Sequence, residues 1–427
     1  MTGTIATEQA IVVVGGGISG MTAALEAAEC GKEVVLIEKS PTLGGRTALL
    51  YRYFPKLCHP TCGLEINLRR LKANPKIRVL TLAEVTGITG RRGDYTVTVK
   101  LSPRYVNENC TACGACAQVV QAEIPNPYNY NLNTIKAAYL PFAMAYPLRY
   151  VLDPCIIGTP DAQRAKAACK YNAIDLDQKE QVIELKAGAV VWATGWKPYD
   201  AAKIQPYGYD RFPNVITSVE FERLADPHGP TGGKILRPSD GREAKNIAFI
   251  QCAGSRDENH LRHCSRICCM ASLKQTQYVR EAYGDEGRST IYYIDIRAID
   301  RLEDFYQKVR KDPTVKFVKS KVARIAEEKN GDLVLHGVDT EGYHRYANTH
   351  DLVVLAIGME PSVPAGAIPA EVVADSSGFI ETTADASAVF GAGCASNALD
   401  VNRAVQSATA AALRAIQVVN RAARAET

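Results

Sequence analysis

The stretch Ile11-Val-Val-Val-Gly15-Gly-Gly17-Ile18-Ser19-Gly20 constrains this chain more than any other. Ile11–Val14 reads as a short buried strand, and the alanine-rich run from Ile18 to Cys30 reads as a helix. Between them stands Gly15-x-Gly17-x-x-Gly20. The first glycine permits a tight turn, the second lets the backbone approach a pyrophosphate, and the third lets helix and strand pack closely. The helix N-terminus then offers free N–H groups and the positive end of its dipole to phosphate. Gly31 ends the helix and Val34–Ile37 forms the next strand. Glu38 closes that strand, where a carboxylate accepts from ribose hydroxyls and disfavours a 2′-phosphate. This is the expected opening βαβ unit of a dinucleotide-binding domain, with NADP disfavoured.

Later motifs favour FAD over NAD. Gly44-Gly45-Arg46-Thr47 follows Glu38, Ala193-Thr194-Gly195 follows a strand-like run at 188–193, and Gly391-Ala392-Gly393 precedes a long helical pattern from Val401 to Ala423. Each alone is an ordinary strand-end turn, but their order and spacing resemble flavoproteins with two dinucleotide-binding domains. Those families usually carry Asp after the last glycine, against the ribityl chain; this chain has Cys394. The expected flavin contacts are Gly15, Gly17, Ile18, Ser19, Gly20, Glu38, Lys39, Gly45, Arg46, Thr47, Val85, Ala193, Thr194, Gly195, Gly358, Gly393, Cys394 and Asn402.

The fold class expected is α/β, a flavoprotein with two dinucleotide-binding domains and a small inserted domain. The flavin domain is expected in three parts, at 1–101, 178–245 and 346–427. Strands are read at Ile77–Thr86 and Tyr95–Lys100. The insert is placed at 102–177, where cysteine, proline and tyrosine crowd together. A second Rossmann-like domain is placed at 246–345, with strands at Ile247–Ile250 and Ile291–Ile296 around a helix from about Ser265 to Tyr283. Asp226–Arg242, rich in Gly, Pro and charge, reads as a surface linker. No internal repeat of fixed period is visible. With 50 basic and 46 acidic residues, the charge does not argue for nucleic acid or an anionic membrane. Met1–Ala10 lacks an apolar signal region and no apolar run reaches spanning length, so a cytoplasmic protein is expected.

Thirteen cysteines are present, an odd and clustered set. In a reducing compartment such clusters point to metal or redox chemistry. Cys252, Cys264, Cys268 and Cys269 form C-x11-C-x3-C-C, a ligand set for an iron–sulfur cubane or a tetrahedral zinc, with buried free thiols as the plain alternative. On a helix, Cys264 and Cys268 would share a face and Cys269 would turn about 100° away. These residues stand where a second dinucleotide fingerprint would be; Gly254 is there, but the full glycine array is not. A second set, Cys110-x-x-Cys113-x-x-Cys116, resembles a bacterial ferredoxin run with Val120 in place of its fourth cysteine. Cys169 fits the remote ligand slot, leaving Cys155 alone; the competing reading is a metal-free remnant. Cys58-x-x-x-Cys62 is either a redox dithiol or two unpaired thiols, and His59 beside it reads as a packed or exposed residue. Tyr128, Tyr130, Tyr139, Tyr146 and Tyr150 read as packing.

Taken together, these stretches resemble the A subunits of heterodisulfide reductases. The resemblance is carried by Pro41-Thr-Leu-Gly-Gly45, by Cys58 to Leu64, and by Pro103-Arg-Tyr-Val106 before the ferredoxin run. Gln251-Cys-Ala-Gly-Ser-Arg-Asp257, Cys264-Ser-Arg-Ile-Cys-Cys269 and Tyr293-Ile-Asp-Ile-Arg297 extend it along nearly the whole chain. It implies a thioredoxin-reductase-like core binding FAD with a small inserted ferredoxin-like domain, a [4Fe-4S] cluster, a homodimer, and B- and C-type partner subunits. The methanogenic form has further N- and C-terminal domains that this sequence does not show, and its insert keeps more cysteines. The shorter form resembles the A subunits of heterodisulfide-reductase-like complexes in sulfur-oxidising prokaryotes, and depleted cluster chains imply a non-bifurcating role. The competing expectation is an NADH:disulfide oxidoreductase using Cys58 and Cys62.

Overall fold

In the computed structural model of this chain, residues 10–363, 372, 374–381 and 387–425 are described. Ile11–Val14 lies at the centre of a five-stranded parallel sheet, ordered Val389–Gly391, Ala189–Trp192, Ile11–Val14, Val34–Glu38, Ile77–Thr81. Its inner strands are buried along their whole length, as helices on both faces require, and hence read as unbroken apolar runs. The helix Ile18–Glu29 packs against the long helix Val401–Ala425.

The strand expected at Ile77–Thr86 is two strands. Leu82 adopts a left-handed φ of 54°, with its carbonyl accepting from Ser102 N–H at 2.8 Å. Ile77–Thr81 joins the parallel sheet, whereas Ala83–Arg91 begins an antiparallel meander with Asp94–Leu101 and Gln181–Ala187. The chain departs from that meander after Leu101 and returns at Gln181, two residues that face each other in the ladder. The excursion builds two small helices, Ala115–Val119 and Pro160–Ala168, and two hairpins. They surround their own core of Val106, Val120, Ala138, Leu152, Ile156 and Ile174.

The second unit repeats the plan of the first. Its parallel sheet runs Val215–Thr217, Leu352–Ile357, Asn246–Ala253, Arg288–Tyr293, Val315–Lys319, followed by the meander Arg324–Glu327, Leu333–Asp339, His344–His350. The duplication lies in topology and leaves no periodic trace in the sequence. Three expectations are corrected here. The Asp226–Arg242 segment is anchored, not a surface linker, because Asp226 and Arg237 are buried and paired with Arg223 and Asp332, each at 2.7 Å. The strand expected at Ile291–Ile296 runs instead from Arg288 to Tyr293, and the helix expected from Ser265 starts at Cys268. Among the described residues no helix is long and apolar enough to cross a membrane.

Candidate functional site

The glycine turn is built as its spacing requires. A Cβ on Gly15, whose φ is 105°, would lie 2.3 Å from the Ala193 carbonyl oxygen, and one on Gly20 would lie 1.7 Å from that of Gly15. A Cβ on Gly45 would meet the Gly17 Cα at 2.8 Å. Only glycine lets these three backbones meet. In front of them opens a cavity of about 1300 Å³. Gly15, Gly17, Ile18, Ser19, Glu38, Lys39, Gly45, Arg46, Thr47, Val85, Ala193, Thr194, Gly195, Cys394 and Asn402 all line it. Gly20 and Gly393 stand behind the wall; a Cβ on Gly393 would fall 2.0 Å from Ser19 Oγ. Gly358 is not among the lining residues: it sits in the second unit, where its N–H donates to Ala253 and a Cβ would crowd Ser255 Oγ.

Glu38 accepts from the N–H groups of Gly16 (2.6 Å) and Ser40 (2.7 Å). A carboxylate has about four lone-pair sites, so Glu38, which lines the cavity, keeps acceptor capacity beyond these two bonds. Thr194 Oγ1 and Trp192 Nε1 are buried on the same wall with no partner among the described residues, and buried polar groups of that kind call for a ligand. The cradle and these orphaned groups fit a dinucleotide. Cys394 donates its S–H to the Leu399 carbonyl at 3.3 Å. Burial pushes this thiol up to about 11, so an uncharged donor stands where an acid would accept.

The cavity is also lined from outside the flavin motifs. The insert contributes Tyr128, Tyr130, Tyr139 and Phe142, and the second unit contributes Glu222, Cys268, Met270 and Lys274. Lys274 Nζ pairs with Glu222 Oε1 at 2.9 Å, both side chains nearly sealed from solvent, and also donates to the Arg52 carbonyl. Glu222 accepts in addition from Tyr278 Oη, Gln275 Nε2 and Tyr51 N–H. The available signal was a lysine and a glutamine set among Met270, Leu273 and Tyr278 on a buried helix face. His59, between Thr61 Oγ1 and Asp226 Oδ2, is a packed residue.

The strand Asn246–Ala253 turns at Cys252, whose φ is 56°. Residues 254–267 then precede the helix Cys268–Tyr283, where residues 15–17 suffice in the first unit. Cys264 therefore lies in a loop, not on a shared helix face with Cys268. Arg266, at φ 62°, cannot continue a right-handed helix, which is why the helix starts later. Cys268 and Cys269 occupy its first turn, where the dipole favours negative charge. Their thiols diverge: Cys268 faces the Ile357 carbonyl and the cavity, Cys269 faces Gln251 and Asp295. Burial first, and then the charges of the other cysteines, push Cys268 well up and Cys269 to about 11; burial likewise raises Cys252. Burial thus keeps Cys252, Cys268 and Cys269 as neutral thiols, and a bound cation would be needed to hold them as thiolates. Arg266 N–H points at Cys264 Sγ, 3.4 Å away. Among the described residues no three His, Cys, Asp or Glu side chains are placed to hold a single ion; in a cubane each thiolate serves its own iron, and the sulfurs stand further apart.

In the insert, Cys110, Cys116 and Cys169 pack on one small core. Cys110 and Cys113 are near enough for their charges to raise Cys116, which burial chiefly pushes to about 11. Cys155 is exposed, and Cys58 and Cys62 are free thiols that do not line the cavity.

Comparison with known proteins agrees with this geometry. The family described as FAD dependent oxidoreductase matches residues 10–55, which carry the glycine turn, Glu38 and Gly44-Gly45. The fold is shared with thioredoxin reductases of T. acidophilum (15% identity, TM-score 0.52, 95% of this chain and 97% of that one) and Lactococcus lactis (13%, 0.54, 96% and 99%). Residues 10–55 are thus similar to FAD dependent oxidoreductases, and the fold is that of thioredoxin reductases. Among curated relatives, the second iron-sulfur A subunit of the CoB--CoM heterodisulfide reductase of Methanopyrus kandleri is 39% identical over 426 residues, covering 96% of this chain and 64% of the relative. The corresponding iron-sulfur A subunit of Methanocaldococcus jannaschii is 39% identical over 366 residues, 84% of this chain and 54% of the relative. The chain thus spans between about half and two thirds of the length of these relatives. Over that span, with the glycine turn, the late cysteine loop and the two-unit fold all in place, the chain is similar to the A subunits of heterodisulfide reductases.

Proposed function

We propose that this chain is the electron-transfer subunit of a heterodisulfide-reductase-like complex, with FAD in the large cavity and a [4Fe-4S] cluster on Cys252, Cys264, Cys268 and Cys269. One observation carries the reading: Cys268 belongs both to the cysteine constellation and to the cavity wall. FAD exchanges electrons in pairs or singly and a cluster exchanges them singly, so adjacent sites suit a converter between the two regimes. The chain's own residues supply the glycine cradle for the cofactor's phosphates, Glu38 for its ribose, and a helix N-terminus with backbone N–H groups for the cluster's negative charge.

Cys110, Cys113, Cys116 and Cys169 are proposed as a second cluster site, on the ground that Cys110, Cys116 and Cys169 share one small core and that Cys113 is near enough for its charge to act on Cys116. The domains are read as a flavin domain in three parts, an inserted ferredoxin-like domain, and a second Rossmann-like domain whose long cysteine loop replaces a nicotinamide cradle. The relatives are named as A subunits of heterodisulfide reductases, which supports further partner subunits; that these are of B and C type, and that the chain forms a homodimer, is proposed from the family resemblance. The role assigned is non-bifurcating electron transfer in sulfur-compound oxidation. The dithiol alternative gains nothing from Cys58 and Cys62, which stand off the cavity.

Anaerobically purified protein is expected to contain iron and acid-labile sulfide, with a cluster EPR signal on reduction. Cys264→Ala should abolish the primary signal and Cys113→Ala should remove only a separate one. Zinc in place of iron and sulfide would overturn the cluster assignment, and rapid stoichiometric flavin reduction by NADH would favour the disulfide oxidoreductase.

A further inference from the structure

Among the described residues, Arg46 is a cation held by neutral groups. Its Nε donates to the Trp196 carbonyl at 2.5 Å and one terminal nitrogen donates to Tyr130 Oη at 3.2 Å. Its guanidinium lies over the Trp196 and Tyr130 rings, 5.1 and 5.9 Å from their centroids. Among the described residues no carboxylate pairs with it, yet it lines the cavity beside Gly17 and Gly45, at the glycine cradle. A guanidinium has five N–H donors; two are engaged, and three remain for a ligand in the cavity that Arg46 lines. Arg46 is half-buried; a cation without a counter-ion at a phosphate cradle is set for an anionic ligand, and its planar fork suits phosphate oxygens.

Tyr130 comes from the insert, not from the flavin domain, and its neighbours are tied to the same flavin-domain segment. Tyr128 Oη donates to the Ala48 carbonyl at 2.6 Å, Tyr146 N–H donates to Thr42 Oγ1 at 2.9 Å, and Leu43 N–H donates to the Tyr146 carbonyl at 3.0 Å. The insert therefore grips residues 42–48, the segment carrying Gly44, Gly45 and Arg46, from both sides.

We propose that Tyr130 is a positioning residue for FAD: it aims Arg46 at the cofactor's diphosphate, which makes the insert part of the flavin site. The inference rests on FAD occupying this cavity and adds the contribution of the insert. The test uses full-length apo-protein titrated with FAD and, separately, with riboflavin, which lacks phosphate, following the flavin fluorescence. Tyr130→Phe keeps the ring and removes only the hydroxyl. It is expected to weaken FAD roughly 3- to 10-fold, the worth of one hydrogen bond, and Arg46→Gln roughly 10- to 100-fold, that of a charged one. Neither should change riboflavin affinity or the thermal midpoint of the apo-protein. In the Arg46→Gln background Tyr130→Phe should add nothing, since the hydroxyl acts through the guanidinium. Equal losses for FAD and riboflavin, independent additive losses, or no loss in Tyr130→Phe would each overturn the proposal. If the wild type still bound FAD tightly in that last case, the flavin assignment would stand and only the role of Tyr130 would fall.

Discussion

His350 shows how a single side chain can tie stability to pH without touching a cofactor. It is 4% exposed, with Nε2 3.0 Å from Tyr292 Oη and Nδ1 3.0 Å from Asn246 Oδ1. The Asn246 oxygen can only accept, so this network places the ring proton on Nδ1 and leaves Nε2 to accept from the tyrosine. Burial, then the nearby charge of Lys316, lowers this group from 6.5 to about 4, so it is neutral in the fold. Between those two values the unfolded chain binds the extra proton and the folded chain does not. Stability therefore rises with pH through that window, is complete above it, and is lost as pH falls towards 4, by up to roughly 3 kcal/mol. We expect the thermal midpoint of the apo-protein to drop more steeply from about pH 7 to about pH 5 in the wild type than in His350→Gln; parallel curves would refute it. Residues like this are illegible in a sequence because Tyr292, Asn246 and Lys316 come from separate strands. The cradle glycines were legible because each answers a local backbone requirement.

The helix Cys268–Tyr283 carries the same lesson at the scale of an element. Its existence and its end follow from composition and Gly284, but its start does not. Ser265 was expected inside it, yet Ser265 Oγ accepts from Met359 N–H at 2.8 Å and bonds Ser255 Oγ, ties that hold the preceding loop off the helix axis. Cys264 is thereby brought to the other cysteines by a loop, from a direction that periodicity cannot report. The same helix buries Lys274 against Glu222. Removing one member of a buried pair strands the other, at about 3–5 kcal/mol. Lys274→Met is therefore expected to lower the denaturant midpoint by an amount of that order. Lys274→Met combined with Glu222→Gln should recover much of it, because the neutral amide needs no counter-ion. A cost in the single variant as small as that of a surface pair, about 1 kcal/mol or less, would show that Glu222 is not held as a buried charge.

For the whole molecule, what the sequence displayed was the order of motifs: glycine turn, cysteine-rich excursion, return, cysteine loop, final glycine turn. The duplication of one sheet plan in both units was hidden, since it resides in strand order, and so was the manner in which the units meet. Arg266, in the cysteine loop of the second unit, bonds Asp400 of the first at 2.7 Å. Arg266 also reaches Asp300, which pairs with Arg403 at 2.9 Å. Asp300, Asp400 and Arg403 line the flavin cavity, so this chain of alternating charges crosses from one unit to the other at its wall. All four side chains are between about one fifth and one half exposed. Each link alone is worth about 1 kcal/mol or less and is screened by salt over about 10 Å at 0.1 M. The combined effect should fall on the opening of the two units and not on the folding of either. FAD release is then expected to quicken severalfold between about 0.05 and about 0.5 M salt in the wild type. In Asp300→Asn/Asp400→Asn it should already be fast at low salt and respond little further, with an unchanged thermal midpoint for the apo-protein. Release rates equal in both proteins at low salt would mean that this contact does not hold the units closed, and that the cavity walls and the insert's grip on residues 42–48 retain the cofactor by themselves.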